Sequence, residues 1–127
     1  MWFHFACRSA STSEEGILQI SVTDQDGIRI ARIEGDLDGQ TAAGAQEQLM
    51  ALTGAESSRM LIDLTDLRFI SSAGLRVLLV IAKELQRAGG ALRLCGANAS
   101  VRSVFEIAGF DTIIPMHDAR DEAIGAF

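Results

Sequence analysis

Strand-like alternation of apolar and polar positions begins near Ile17. Leu18, Ile20 and Val22 form one run; Ile28 and Ile30, with Ile33 after a slip at Ala31, form a second. Asp24-Gln-Asp-Gly27 separates the runs and ends in Asp-Gly, a strong hairpin signal. Gly35-Asp-Leu-Asp-Gly39 then breaks the strand, and Ala42, Ala45, Leu49 and Leu52 recur at helical spacing, with Asp38 placed as N-cap. Met60 to Leu64 reads as a short buried strand, followed by a loop from Thr65 to Ile70. Ser71-Ser-Ala-Gly74 opens a helix whose inward face is Leu75, Leu78, Leu79, Ala82 and Leu85, closed by Gly89-Gly90. A strand over Ala91–Cys95 precedes a helix capped by Asn98, carrying Val101, Val104, Phe105 and Ala108 and ended by Gly109. Thr112–Ile114 is expected as an edge strand stopped by Pro115, and Asp118 as the cap of a last helix with Ala119, Ala123 and Phe127 inward.

The resulting order, β-β-α-β-α-β-α-β-α, predicts an α/β fold: a hairpin followed by alternating strands and helices, in a mixed sheet with right-handed crossovers. Residues 1–15 break the pattern and are expected to be a flexible N-terminal extension, with residues 16–127 as the domain. The opening stretch lacks the basic leader and apolar core of a signal peptide, and no window reaches the roughly 18 apolar residues of a membrane span.

Composition narrows the chemistry. Among 127 residues, 17 acids against 11 bases leave a net charge of −6, which argues against sequence-blind nucleic-acid binding. Cys7 and Cys95 stand apart, without zinc-ligand spacing or a disulfide framework, and this suggests a reducing cytoplasm and no metal. The two histidines sit at opposite ends of the chain and offer little for acid–base catalysis.

Ser71 and Ser72 are placed where a strand–loop unit meets a helix. Unpaired N–H groups and the positive end of the helix dipole favour a hydroxyl cap there, and would also favour a phosphate. Both serines could simply be caps. A nucleophile elbow, Gly-x-Ser-x-Gly, is the enzymatic alternative, but Ile70 occupies its first glycine position and only His117 is available as base, with Asp111 or Asp118 to orient it.

Four blocks in order, Gly35-Asp-Leu-Asp-Gly-Gln-Thr41, Leu61-Ile-Asp-Leu64, Phe69-Ile-Ser-Ser-Ala-Gly-Leu75 and Val104-Phe-Glu-Ile-Ala-Gly-Phe110, resemble a STAS domain. More narrowly, they resemble the bacterial anti-sigma factor antagonists, over about Ile17 to Phe127. The resemblance implies a small mixed sheet backed by helices and a cytoplasmic, non-enzymatic switch. In that cycle the unmodified antagonist binds an anti-sigma factor and frees a sigma factor. The anti-sigma factor, a kinase that brings its own ATP and magnesium, then phosphorylates one serine, and a phosphatase restores the free form. Aligning the family's Asp-Ser-[Ser/Thr/Ala]-Gly pattern on Gly74 puts the acceptor on Ser72, with Ser71 as the alternative. Ser71 stands where the family has its aspartate, which is a departure from the pattern. A STAS accessory subunit of a lipid-trafficking transporter ATPase is the other reading of the same resemblance.

A partner surface is expected around the acceptor. Winding the helix at about 100° per residue gathers Arg76, Lys83 and Arg87 on one flank and points Val77 and Val80 towards Glu84, away from the core. The valines are therefore candidates for partner contact, unless a neighbouring helix covers them. Asp36 and Asp38 should lie near the same end of the sheet, and the resemblance implies that this acidic loop joins Ser71, Ser72, Gly74 and Arg76 in the partner surface. Asp63 and Asp66, at a strand end, superficially suggest a phospho-acceptor aspartate but fit a structural role better. Cys95 reads as a core residue.

Overall fold

Asp26 and Gly27 both take positive φ, 55° and 78°, and join β1 (Leu18–Gln25) to β2 (Ile28–Leu37) as an antiparallel hairpin with Gln25 opposite Ile28. Positive φ at both central residues matches the right-handed twist of the paired strands. The computed structural model describes residues 18–53 and 59–127. The extension expected at residues 1–15, and Cys7 within it, lie outside the described residues.

The expected break at Gly35 is a bulge. The register against the neighbouring strand shifts between Gly35 and Asp36, with Gly35 at φ 113°, and β2 continues to Leu37. Glycine absorbs that irregularity without a Cβ penalty, so the strand bends instead of ending. β2 then serves two parallel partners end to end. β3 (Arg59–Asp63) pairs with Arg29–Arg32, and β4 (Leu67–Ile70) pairs with Gly35–Leu37. β4 occupies part of the stretch expected as a loop. Only its end residues Leu67 and Ile70 are buried, with Arg68 and Phe69 exposed between them, so no period-2 signal marks it.

β5 (Ala91–Cys95) lies parallel to β3, and β6 (Met116–His117) parallel to β5, giving the order β1-β2-β3-β5-β6 with β4 beside the end of β2. The last strand therefore follows Pro115 instead of preceding it. Phe110–Thr112 forms a 3-10 turn, and the Pro115 carbonyl accepts a hydrogen bond from the Leu94 N–H at 3.0 Å. Proline lacks a donor but keeps its acceptor, so it can lead into an edge strand.

Helices α1 (Ala42–Leu52), α2 (Ser72–Arg87) and α3 (Ala99–Ala108) contribute Leu49, Leu78, Ile81 and Phe105 to the main core, against Ile33, Ile62 and Leu94 of the sheet. The short α4 (Arg120–Gly125) supplies Ala123 to a second cluster with Ile28, Ile30, Leu61 and Cys95. This explains the apparent slip at Ala31. Ile30 joins the second cluster and Ala31 the main one, so neighbouring residues are both buried on a sheet apolar on both faces.

The caps divide into expected and corrected ones. Ser71 and Asn98 cap α2 and α3, with Asn98 Oδ1 accepting from Val101 N at 2.8 Å. Gly90 N donates to Leu85 O and Gly89 N to Gln86 O, closing α2 in a Schellman arrangement. Asp118 does not cap α4. Ala119 holds the cap position without a side-chain bond, and the Asp118 carboxylate instead accepts from the Arg102 guanidinium at 2.9 Å. Among the described residues, no helix is long and apolar enough to cross a membrane.

Candidate functional site

Three backbone segments meet at one end of the sheet: the end of β2, the strand β4 and the start of α2. Ser71 N–H donates to the Leu37 carbonyl at 2.9 Å, tying the helix entry to β2. Gly74 makes this approach feasible. A Cβ there would stand 2.6 Å from the Leu37 carbonyl oxygen and 2.8 Å from Ile70 Cγ1, inside any tolerable contact. Gly74 is buried, so it sets the spacing beneath the surface.

The two serines have different surroundings. Ser71 is extended, at φ −102° and ψ 178°, and its Oγ accepts from Gly74 N at 3.3 Å, satisfying one of the orphan donors of α2. Ser72 is the first helical residue, is exposed, and its hydroxyl makes no hydrogen bond among the described residues. A group attached to that oxygen would enter solvent beside the free N–H groups of the first turn.

The two acidic residues lie at this end of the sheet, but Asp36 belongs to β2 and not to a loop after it, and only Asp38 lies beyond the strand. Asp36 pairs in register with Phe69 of β4, and its carboxylate takes the Arg68 guanidinium at 3.3 Å. Asp38 Oδ1 accepts from Gln40 N at 2.9 Å and Thr41 N at 3.2 Å. Asp38 thus shapes the turn into α1, while Thr41 holds the N-cap position. The Thr41 hydroxyl donates to the Asp36 carbonyl at 2.9 Å, which locks the loop. Both carboxylates are committed to these structural bonds, and among the described residues no group of three or more His, Cys, Asp or Glu is placed to hold a metal.

One expectation about α2 needs correction. Val77 is only 3% exposed and belongs to the main core together with Ala45 and Leu49 of α1, which packs alongside α2. Val80 is half-buried, as is Leu79, while Ile81 is fully buried. The neighbouring helix widens the buried arc of α2, so Val77 lies in the core and not on the outward side expected for it. Arg76, Lys83 and Arg87 are exposed, and Arg87 pairs with Glu84 at 2.6 Å.

Sequence reasoning missed Phe69 and Arg68 as surface residues of this site. Phe69 is 51% exposed, three positions before Ser72 and opposite Asp36. The motif contains it, but nothing in a four-residue strand shows that an aromatic side chain points outward.

The remaining polar groups are structural. Asp63 is buried at the end of β3, where Thr65 Oγ1 donates to it at 2.6 Å and Arg120 NH2 at 2.8 Å. Burial acts to raise its carboxyl, but the hydrogen bonds from Thr65 and Arg120 outweigh it and hold the group below the usual carboxylate range. Asp66 is bonded to Arg32. Cys95 lies in the second core cluster; burial, reinforced by the nearby Asp63 charge, pushes its thiol up to about 12. No hydrolase elbow is present either. Ile70 is buried where the elbow needs glycine, and the His117 ring is hydrogen-bonded to Arg93 at 3.1 Å.

Comparison with known proteins agrees with this geometry. The family model described as STAS domain matches residues 19–123. The chain is 38% identical, over 87% of its length and 95% of the relative's, to BtrV of Bordetella bronchiseptica, a candidate anti-sigma factor antagonist. An anti-sigma factor antagonist from Mycobacterium paratuberculosis superposes with a TM-score of 0.79 at 24% identity, covering 86% of this chain and 92% of that one. The Bacillus antagonist SpoIIAA shares the fold in two solved states. Its unphosphorylated form gives a TM-score of 0.70 at 21% identity, covering 83% of this chain and 92% of that one. Its phosphorylated form gives 0.64 at 21% identity, covering 84% and 97%.

Proposed function

This chain belongs to the STAS domain family and, within it, to the anti-sigma factor antagonists, which are non-enzymatic regulators; from that premise we propose that it is a cytoplasmic binding switch controlled by phosphorylation of Ser72. Unmodified, it binds an anti-sigma factor through the surface at the start of α2 and releases a sigma factor. The anti-sigma factor, acting as a kinase, transfers the γ-phosphoryl group of ATP to Ser72 Oγ. The hydroxyl proton leaves, ADP is the by-product, and the complex ends. A phosphatase hydrolyses the ester and resets the switch.

The division of labour between the two serines carries this reading. Ser71 Oγ is occupied as the cap of α2, whereas Ser72 Oγ is exposed and unengaged among the described residues. The cap also accounts for the family's aspartate being replaced by serine, since Asp and Ser are both strong N-caps. The existence of a phosphorylated and an unphosphorylated form of SpoIIAA supports a modification cycle on this fold.

Incubation with the anti-sigma factor kinases of the source organism and ATP tests it. One phosphate is expected by mass spectrometry, mapped to Ser72, lost in Ser72→Ala and retained in Ser71→Ala. Capture of a transporter ATPase with no modification would overturn the reading.

A further inference from the structure

Among the described residues, most cations of this acidic protein are spoken for. Six arginines are paired with carboxylates. Arg93 takes His117 and lies 5.3 Å from the centroid of the Phe127 ring, and Arg59 is engaged as well. Among the described residues, Arg76 and Lys83 are left without a partner, and both are exposed on α2.

Their placement relative to Ser72 is specific. At about 100° per residue, Arg76 and Lys83 fall within about 40° of the direction of Ser72 around the helix. At ~1.5 Å rise per residue they stand about 6 Å and about 16 Å further along the axis. Ser72 and Arg76 are thus an i, i+4 pair on a solvent-facing stripe, with the acceptor N-terminal to the cation. That order favours an anion–cation pair on a helix, because it also suits the dipole. Neither Ala73, Leu79 nor Val80, the other neighbours one turn from Arg76 on α2, carries a charge that competes for it.

We propose that Arg76 is a two-state cation: open to an acidic surface of the protein partner while Ser72 is unmodified, and captured by the phosphate once Ser72 is phosphorylated. This rests on Ser72 being the acceptor. Phosphorylation then acts twice on the binding surface, adding negative charge at Ser72 and withdrawing a positive charge one turn along. The guanidinium suits the role because it grips phosphate oxygens through a planar fork of donors. Lys83, too distant for the phosphate, stays open in both states. The occupant that fits the unmodified stripe is acidic, since Arg76 and Lys83 present unpaired positive charge on the surface of a chain of net charge −6.

The test needs no kinase. Phosphoserine is incorporated at position 72 during translation, in the wild-type chain and in Arg76→Gln, Arg76→Lys and Lys83→Gln. The phosphate is then titrated by phosphorus NMR. Its second ionisation, ordinarily near pH ~6, is expected about 0.3 of a pH unit or more lower in wild type than in Arg76→Gln. Arg76→Lys should keep part of the shift and Lys83→Gln all of it. Coincident titrations of wild type and Arg76→Gln overturn the capture. In the unmodified state, Arg76→Gln should bind the anti-sigma factor about threefold more weakly, with a shallower salt dependence; equal binding overturns the docking role. If unmodified wild type binds no anti-sigma factor, the docking role falls together with the function proposed above. The capture is decided by the spectrum alone.

Discussion

Ser71 and Ser72 share a side chain and differ in what the backbone asks of it. Ser71 satisfies Gly74 N–H, so Ser71→Ala should cost about 1 kcal/mol of stability. Ser72 makes no such bond, and Ser72→Ala should stay within about 0.5 kcal/mol of wild type. Chemical denaturation of the two variants separates them, and equal losses would mean that Ser72 is a structural serine as well. Gly74 is the least replaceable residue of the site. Its missing Cβ leaves room for the Leu37 carbonyl and Ile70, and Gly74→Ala should cost about 2–3 kcal/mol by forcing α2 away from β2. A thermal midpoint unchanged in Gly74→Ala would show that the contact can relax freely. The cap at Ser71 was legible in the sequence because hydroxyl capping is local chemistry. The exposure of Phe69 was not, because it depends on which face of β4 turns outward once β2 has bulged at Gly35.

At the scale of elements, periodicity predicted the hairpin, the first three helices and the three strands at the centre of the sheet. It failed where an element is too short to complete a period. β4 has four residues and β6 two, and both are held by pairing with distant strands, which no local pattern encodes. It failed also on α2, where burial of Val77 depends on α1 lying alongside. The short α4 is fastened to the sheet by the pair between Arg120 and Asp63. The native Asp63 carboxyl lies below its unfolded value of about 3.9, since Thr65 and Arg120 overcome the cost of burial. The pair therefore contributes fully above about pH 4, and its contribution fades as pH falls through the lower native value. Asp63→Asn should cost about 1–3 kcal/mol at pH 7, leaving Arg120 without its counter-charge. Its stability should also fall less steeply than wild type as pH drops below about 4. Parallel acid-denaturation curves for the two proteins would show that the pair adds nothing.

For the whole molecule, the sheet carries apolar clusters on both faces, and the site lies at one end where β2, β4 and α2 converge. Nothing in that arrangement requires the core to move when Ser72 is modified. A phosphate takes the formal charge from −6 to about −8, and it does so at a helix N-terminus that tolerates anions. If Ser72 is the acceptor, the switch works by changing the surface a partner meets, while the fold stays the same. Small size, acidity and scarce catalytic side chains suit a protein that acts by occupying another protein. The most direct measurement is the affinity of the anti-sigma factor for the unmodified and the Ser72-phosphorylated chain, made alongside their thermal midpoints. Loss of binding by at least about a hundredfold, or about 2.7 kcal/mol, with midpoints within a few degrees, is the expected result. Equal affinity of the two forms, or loss of binding only through unfolding, would show that Ser72 is not a surface switch.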